Sequence, residues 1–305
     1  MTMKTILATT TAPGRHWVGD GFPVHGMFGY SGADVARRIE AAEAALIVAA
    51  TEAARARGAW GVTMPIGGGF ACAADADSPM NKVVGLGFAG AVDPATLDEV
   101  EKTLGKLGVH IQVELSNLAD PDVAALLTSR GYRLVGFENV LGQALPASAA
   151  GATSGGISVR RGGPADIDTW IDAVVEGFAH PDDVGVASHE EFPRDVIAKA
   201  ERDFEKAGAV AYLAYCGDAV AGGGGMRITH GVAQLTGAAT VPSARRRGVQ
   251  AALLAARLDD AAAAGCDLAV VTTAPGSTSQ KNVQRRGFQL MYTRAVLVKE
   301  LASPC

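Results

Sequence analysis

Apolar residues in the second half of the chain recur with two alternating periods. "ISVRR" (157–161) predicts a strand. "PADIDTWIDAVVEGFA" (164–179) returns an apolar residue every three to four positions after Pro164, which predicts a helix. A second helix is predicted over "EEFPRDVIAKAERDFEKAG" (190–208). "VAYLAYC" (210–216) and "AVAGGGGMRIT" (219–229) read as strands about the turn Gly217-Asp218, and "VAQLTGAATV" (232–241) as another. A helix through Ala264 follows, then the strand "DLAVVTT" (267–273), a short helix "STSQKNVQRR" (277–286) and a long last strand "GFQLMYTRAVLVK" (287–299). An antiparallel run followed by one β-α-β crossover predicts an α/β fold: a mixed sheet with helices on its faces.

The first half repeats the second. "RGYRLVGFENVLGQAL" (130–145) aligns without a gap on "RGFQLMYTRAVLVKEL" (286–301). Upstream of each lies a glycine, an apolar strand, a polar loop and a short helix. Between them, "LPASAAGATSGG" (145–156) is small, polar and glycine-rich, as linkers are. The expected division is a first domain over 1–147, a linker over 148–156 and a second copy over 157–305.

Composition narrows the function classes. With 305 residues and 48% hydrophobic content, a sizeable core is expected. A net charge of −5 argues against a general nucleic-acid or membrane-surface partner. No apolar window approaches a membrane span, and no long apolar run follows Lys4, so neither a transmembrane helix nor a signal peptide is expected. The cysteines at 72, 216, 266 and 305 form no CxxC pair, so no disulfide framework or structural metal is expected and a cytoplasmic location fits. Composition does not decide between monomer and homo-oligomer.

Against that acidic background, "ATVPSARRRGVQAALL" gathers Arg245, Arg246 and Arg247 ahead of Gly248 and a helix. A helix N-terminus carries unpaired N–H groups and partial positive charge, so cations placed there oppose the dipole and call for an anion. Gly248 permits close backbone approach. Together they suit a pyrophosphate, although no P-loop pattern occurs. The segment resembles the acyl-CoA loop of the GCN5-related N-acetyltransferases, Arg/Gln-x-x-Gly-x-Gly/Ala. Here it is Arg245-x-x-Gly248-x-Gln250 followed by Ala251, with Gln250 departing from the usual small residue. "RRGF" ending at Phe288 is similar to the family's closing helix-to-strand junction. The resemblance covers about 157–300 and implies two tandem folds of that family, the first a degenerate copy.

That resemblance implies acetyl-CoA as co-substrate and a small amine as acceptor. It places the pantetheine arm along Ala239, Thr240 and Val241, and the pyrophosphate on Arg245, Arg246, Arg247, Gly248, Val249, Gln250 and Ala251. Ser279 and Asn282 complete the cofactor-contact candidates. The family's usual acid is a tyrosine four residues before the Gly of "GF"; that position is Val283 here. Tyr292 is the substitute candidate for protonating the leaving thiolate. The rival reading is an acyl-CoA-binding sensor without turnover.

Other motifs are weighed against these. Gly85-x-Gly87-x-x-Gly90 mimics a dinucleotide fingerprint, but Asp93-Pro94 starts the helix too late, and a carboxylate there would meet the pyrophosphate. "HPDDVGVASHEE" (180–191) reads as a solvated loop; in the resembling family this region lines the acceptor site, and Asp182, Asp183, Glu190 and Glu191 would suit a cationic amine. "GRHWVGDGFPVHGMFGY" (14–30) reads as an arm across the first domain, or a wall of the acceptor site. Gly222–Gly225 marks a flexible strand or a close backbone approach.

Overall fold

The computed structural model describes residues 32–147, 156–181, 184–186 and 191–300. The 14–30 segment, most of the linker, and Asp182, Asp183 and Glu190 lie outside the described residues. The first half runs α1 (Ala33–Ala56), β1 (Val62–Ile66), β2 (Gly69–Ala73), β3 (Lys82–Val84), α2 (Pro94–Lys106), β4 (Ile111–Ser116), α3 (Pro121–Ser129) and β5 (Arg133–Ala144). The second runs β6 (Ile157–Arg161), α4 (Ile167–Phe178), α5 (Arg194–Lys206), β7 (Val210–Cys216), β8 (Ala219–Thr229), β9 (Val232–Thr240), α6 (Val249–Ala263), β10 (Leu268–Thr273), α7 (Thr278–Gln284) and β11 (Gln289–Lys299).

Local chemistry sets the helix starts. Asp93 and Asp120 each stand before a proline, and each carboxylate accepts N–H bonds from the first turn of α2 or α3. The α5 helix begins at Arg194, later than its apolar pattern suggested, because Pro193 supplies the extended residue before the first turn. Residues 164–166 form a 3₁₀ turn that leads into α4.

Among the described residues all strands join one sheet, in the order β1-β2-β3-β4-β11-β5-β10-β9-β8-β7-β6. Each half supplies antiparallel neighbours and then one parallel pair, β3–β4 and β9–β10, as the repeat predicts. The closing strands are exchanged. β11 pairs with β4 of the first half, β5 pairs with β10 of the second, and β5 and β11 pair with each other at the centre.

The cores follow the exchange. Leu297 of β11 packs with Leu97, Val100 and Leu104 of α2, while Leu141 of β5 packs with Leu253 and Leu254 of α6. Helix α1 spans the junction, with Ala36 and Ile39 against Val140, Val232 and Leu268. The division at 147 in sequence is therefore not a division in space.

The glycine run of β8 is packed from both faces. A methyl group on Gly223 would lie 2.8 Å from Trp170, and one on Gly224 would lie 3.1 Å from the Arg257 guanidinium. The close approach that glycine permits here is by two side chains of the chain itself.

Candidate functional site

The site begins where two parallel strands part. β10 runs beside β9 only from Leu268 opposite Val232 to Val271 opposite Leu235. Beyond that point β9 bulges: its register with β8 shifts between Gly223 and Gly225, and Gly237 takes φ +52°. The β10-facing edge of β9 from Thr236 to Thr240 is thus open. Arg257, buried on α6, holds the bulge by donating to the carbonyls of Gly225 (3.0 Å) and Thr236 (3.4 Å). Burial pushes its guanidinium down to about 10.

The chain then turns through Pro242–Ala244 into the arginine loop. Arg246 holds φ +62°, unusual for a residue with a side chain, and Gly248 holds φ +88° at the start of α6. No side chain caps α6, and the bond from Ala252 N–H to the Gly248 carbonyl (3.0 Å) opens its ladder. Its N–H groups and positive end therefore point forward. At α2 the same end is filled by the Asp93 carboxylate. The Gly85–Gly90 segment precedes that capped helix and offers no anion seat.

A cavity of about 1370 Å³ opens in front of α6. Ala239, Thr240, Arg245, Arg246, Gly248, Val249, Gln250, Ala251, Ser279 and Asn282 all line it. Val241 and Arg247 are not among its wall residues; Val241 borders a smaller pocket beside Glu176. Arg245 donates to the carbonyls of Gly177 (3.5 Å) and His180 at the C-terminal end of α4. There a cation meets the negative helix end, so Arg245 is satisfied in part by protein. Arg285 and Arg286 join the cavity wall. Neither is among the residues expected at the site, although both directly precede the "GF" junction.

The inner end of the cavity is built largely by the first half. Ile39, Glu43, Leu46 and Ile47 of α1, Lys82 of β3, Glu114 of β4 and Glu138 of β5 line it, with Gln234 and Arg294. Arg294 is 1% exposed; its Nε lies 2.7 Å from Glu40, and its Nη1 lies 3.5 Å from Glu114 and 3.7 Å from Glu138. Lys82 Nζ sits 2.6 Å from Glu114. Burial works against charge on Glu114, but Lys82 and Arg294 outweigh it and hold its carboxyl low. Burial pushes Glu43 up despite Arg294. Burial, then the neighbouring Glu114, pushes Glu138 up to about 7. None of these residues was legible as a site component.

Tyr292 does not reach this cavity. It is 4% exposed, lies among the α1 contacts and donates to Glu40 Oε1 at 2.6 Å. Burial, then the Glu40 charge, raises its phenol well above the usual range. A proton so tightly held, and pointed at a carboxylate, is poorly placed to reach a thiolate; the acid expected at Tyr292 is not supported by its position. Val283 is buried at the cavity wall, under α6. Glu191 is exposed.

Residues 176–288 match the model of the acetyltransferase (GNAT) family. Among solved structures, a GCN5-related N-acetyltransferase from Kribbella flavida superposes with a TM-score of 0.60 at 18% identity, covering 85% of this chain and 96% of its own. A tandem GNAT protein from the clavulanic acid biosynthesis pathway gives 0.55 at 15% identity, covering 77% and 79%. A GCN5-related N-acetyltransferase from Sphaerobacter thermophilus gives 0.51 at 16%, covering 73% of each chain. At such identities the likeness speaks to the fold. No curated protein matches the sequence.

Proposed function

We propose that the chain, whose residues 176–288 match the model of the acetyltransferase (GNAT) family, transfers an acetyl group from acetyl-CoA to a small amine. The observation that carries this reading is the uncapped start of α6, facing a large cavity at the point where β9 and β10 part. The open N–H groups of Val249 to Ala251, with Arg246, suit the pyrophosphate. The free edge of β9 over Ala239 and Thr240 suits the amides of the pantetheine arm. Ser279 and Asn282 face the same cavity from α7. No helix among the described residues is long and apolar enough to cross a membrane; the proposed setting is the cytoplasm.

One acetyl-CoA binds per chain on this reading, because Asp93 occupies the corresponding helix start in the first half. Titration calorimetry tests both points. Arg246→Ala should weaken acetyl-CoA binding by roughly 1.5–3 kcal/mol, or about 10- to 150-fold in Kd, the value of a charge-assisted bond. Unchanged affinity in the folded variant, or two equivalent sites, would overturn the assignment.

A further inference from the structure

We propose that Glu138, delivered by the last strand of the first half, takes the proton from a primary-amine acceptor, and that the inner end of the cavity is that acceptor's pocket. The inference rests on the acyl-transfer reading above and extends it to the substrate side.

Position is the first argument. Val140 and Asn139 of β5 pair with Thr272 and Thr273 of β10, the residues that continue after β10 has left β9. Glu138 is the next residue along β5, so its carboxyl stands beside the parting strands. Like Val140, two residues on, it lies on the α1 side of the sheet, opposite α6. The co-substrate seat and Glu138 therefore approach the gap from different sides, yet line one cavity. A thioester in the gap would have an amine arriving from the Glu138 side.

Unmet hydrogen bonding is the second argument. Gln234 is 6% exposed and lines the cavity; its amide nitrogen donates to Glu43, while its buried Oε1 has no partner. Glu138 Oε2 is buried without a hydrogen bond, its nearest cation being Arg294 at 3.7 Å. These two orphan acceptor oxygens outnumber the one orphan donor beside them, Arg294 Nη2, so the guest should bring N–H donors. Glu43, Glu114 and Glu138 line the chamber with Lys82 and Arg294, and Glu138, once ionised, adds a negative charge that favours a cationic guest. An alkylammonium brings three N–H donors and one positive charge. Ile39, Leu46 and Ile47 offer its carbon chain an apolar wall.

The chemistry balances. The Glu138 carboxylate accepts one proton from R–NH₃⁺. The freed nitrogen lone pair forms the C–N bond at the thioester carbonyl, and the tetrahedral adduct collapses with cleavage of C–S. The departing thiolate takes the second proton from nitrogen, giving amide and CoA thiol, and Glu138 returns its proton to solvent. The groups facing Glu138 are Glu114 from β4, Lys82 from β3, Glu43 from α1 and Arg294 from β11. Burial and Glu114 place its carboxyl at about 7, within the range where a base works at neutral pH.

The test follows CoA thiol release over a panel of primary amines from pH 6 to 9, with acetyl-CoA affinity measured in parallel by calorimetry. Glu138→Gln should lower kcat by about 10²-fold or more, abolish the limb of the profile near pH 7 and leave acetyl-CoA affinity unchanged, and Glu138→Asp should regain part of the rate. If Glu138→Gln fails to fold, Gln234→Leu carries the test, with an expected tenfold or greater rise in amine KM at constant acetyl-CoA affinity. A Glu138→Gln variant within threefold of the parent, with the same profile, overturns the inference and leaves the acyl-transfer reading standing. Acetyl-CoA binding without thiol release on any amine overturns the amine assignment. A parent protein that binds no acetyl-CoA overturns the acyl-transfer reading itself, and this inference with it.

Discussion

Replacing Arg294 with Met tests whether the last strand bolts the first half in place through charge. Arg294 belongs to β11, yet its partners Glu40, Glu114 and Glu138 all come from the first half. Met keeps much of the volume and removes the charge. Glu114 retains Lys82 at 2.6 Å, so its loss is partial. Glu40 retains only the neutral Tyr292 hydroxyl at 2.6 Å. The penalty should therefore fall mainly on Glu40, near the lower part of the ~3–5 kcal/mol typical of breaking a buried pair. Urea denaturation followed by tryptophan fluorescence at pH 7.5 reads it. The penalty should shrink toward pH 5, because Glu114, held low in the parent by Lys82 and Arg294, takes up a proton more readily once Arg294 is gone. Glu40→Gln in the same chain should recover part of the loss, with a coupling of about 2 kcal/mol. A single-variant cost below about 1 kcal/mol, or losses that simply add, would refute the argument.

Three further outcomes follow. Arg247→Ala should change acetyl-CoA affinity less than threefold by calorimetry, because Arg247 is not part of the cavity wall. Glu201, 5% exposed, has its carboxyl pushed up to about 7 by burial; the unfolded chain holds fewer protons there between pH 4.5 and 7, so this group costs stability as pH rises through that window. Glu201→Gln should remove that cost, about 3 kcal/mol at pH 8 at ~1.36 kcal/mol per pH unit, and raise Tm at pH 8 more than at pH 5. A chain cut between residues 148 and 156 should stay associated in size-exclusion chromatography, because β5 pairs with β10 and β11 with β4, each across the two halves; a 157–305 fragment that folds alone as a monomer would contradict this.

The arginine loop was legible because its parts are adjacent in sequence: a strand end, three cations, a glycine and a helix pattern. The repeat was legible for the same reason. The exchange was not, because β5 and β11 carry nearly the same alternation and either would suit either sheet. The inner chamber was hidden differently. Its residues come from positions 43, 82, 114, 138, 234 and 294, and only the fold brings them together. One local signal was present. Glu114 sits in "HIQVELS" and Arg294 in "MYTRAVLV", single charges within apolar runs. β4 proves buried at every position, and a charge in such a strand requires a partner. That partner's identity is long-range information.

The exchange also gives the first half a reason to remain. Its helix α2 is closed to anions by Asp93, so a second seat is not its contribution. What it supplies is a wall: α1 across the parting strands, and β5 beside β10. Were each closing strand to return to its own half, β11 would replace β5 beside β10. The side chain presented next to Thr273 would then come from β11, and Glu138 would stay with β4. The catalytic proposal thus depends on topology as much as on residue identity. A variant that loosens the β5–β11 ladder should lose amine turnover before it loses acetyl-CoA affinity, because α6 and its loop pack mostly on second-half residues, while the proposed base belongs to the first half.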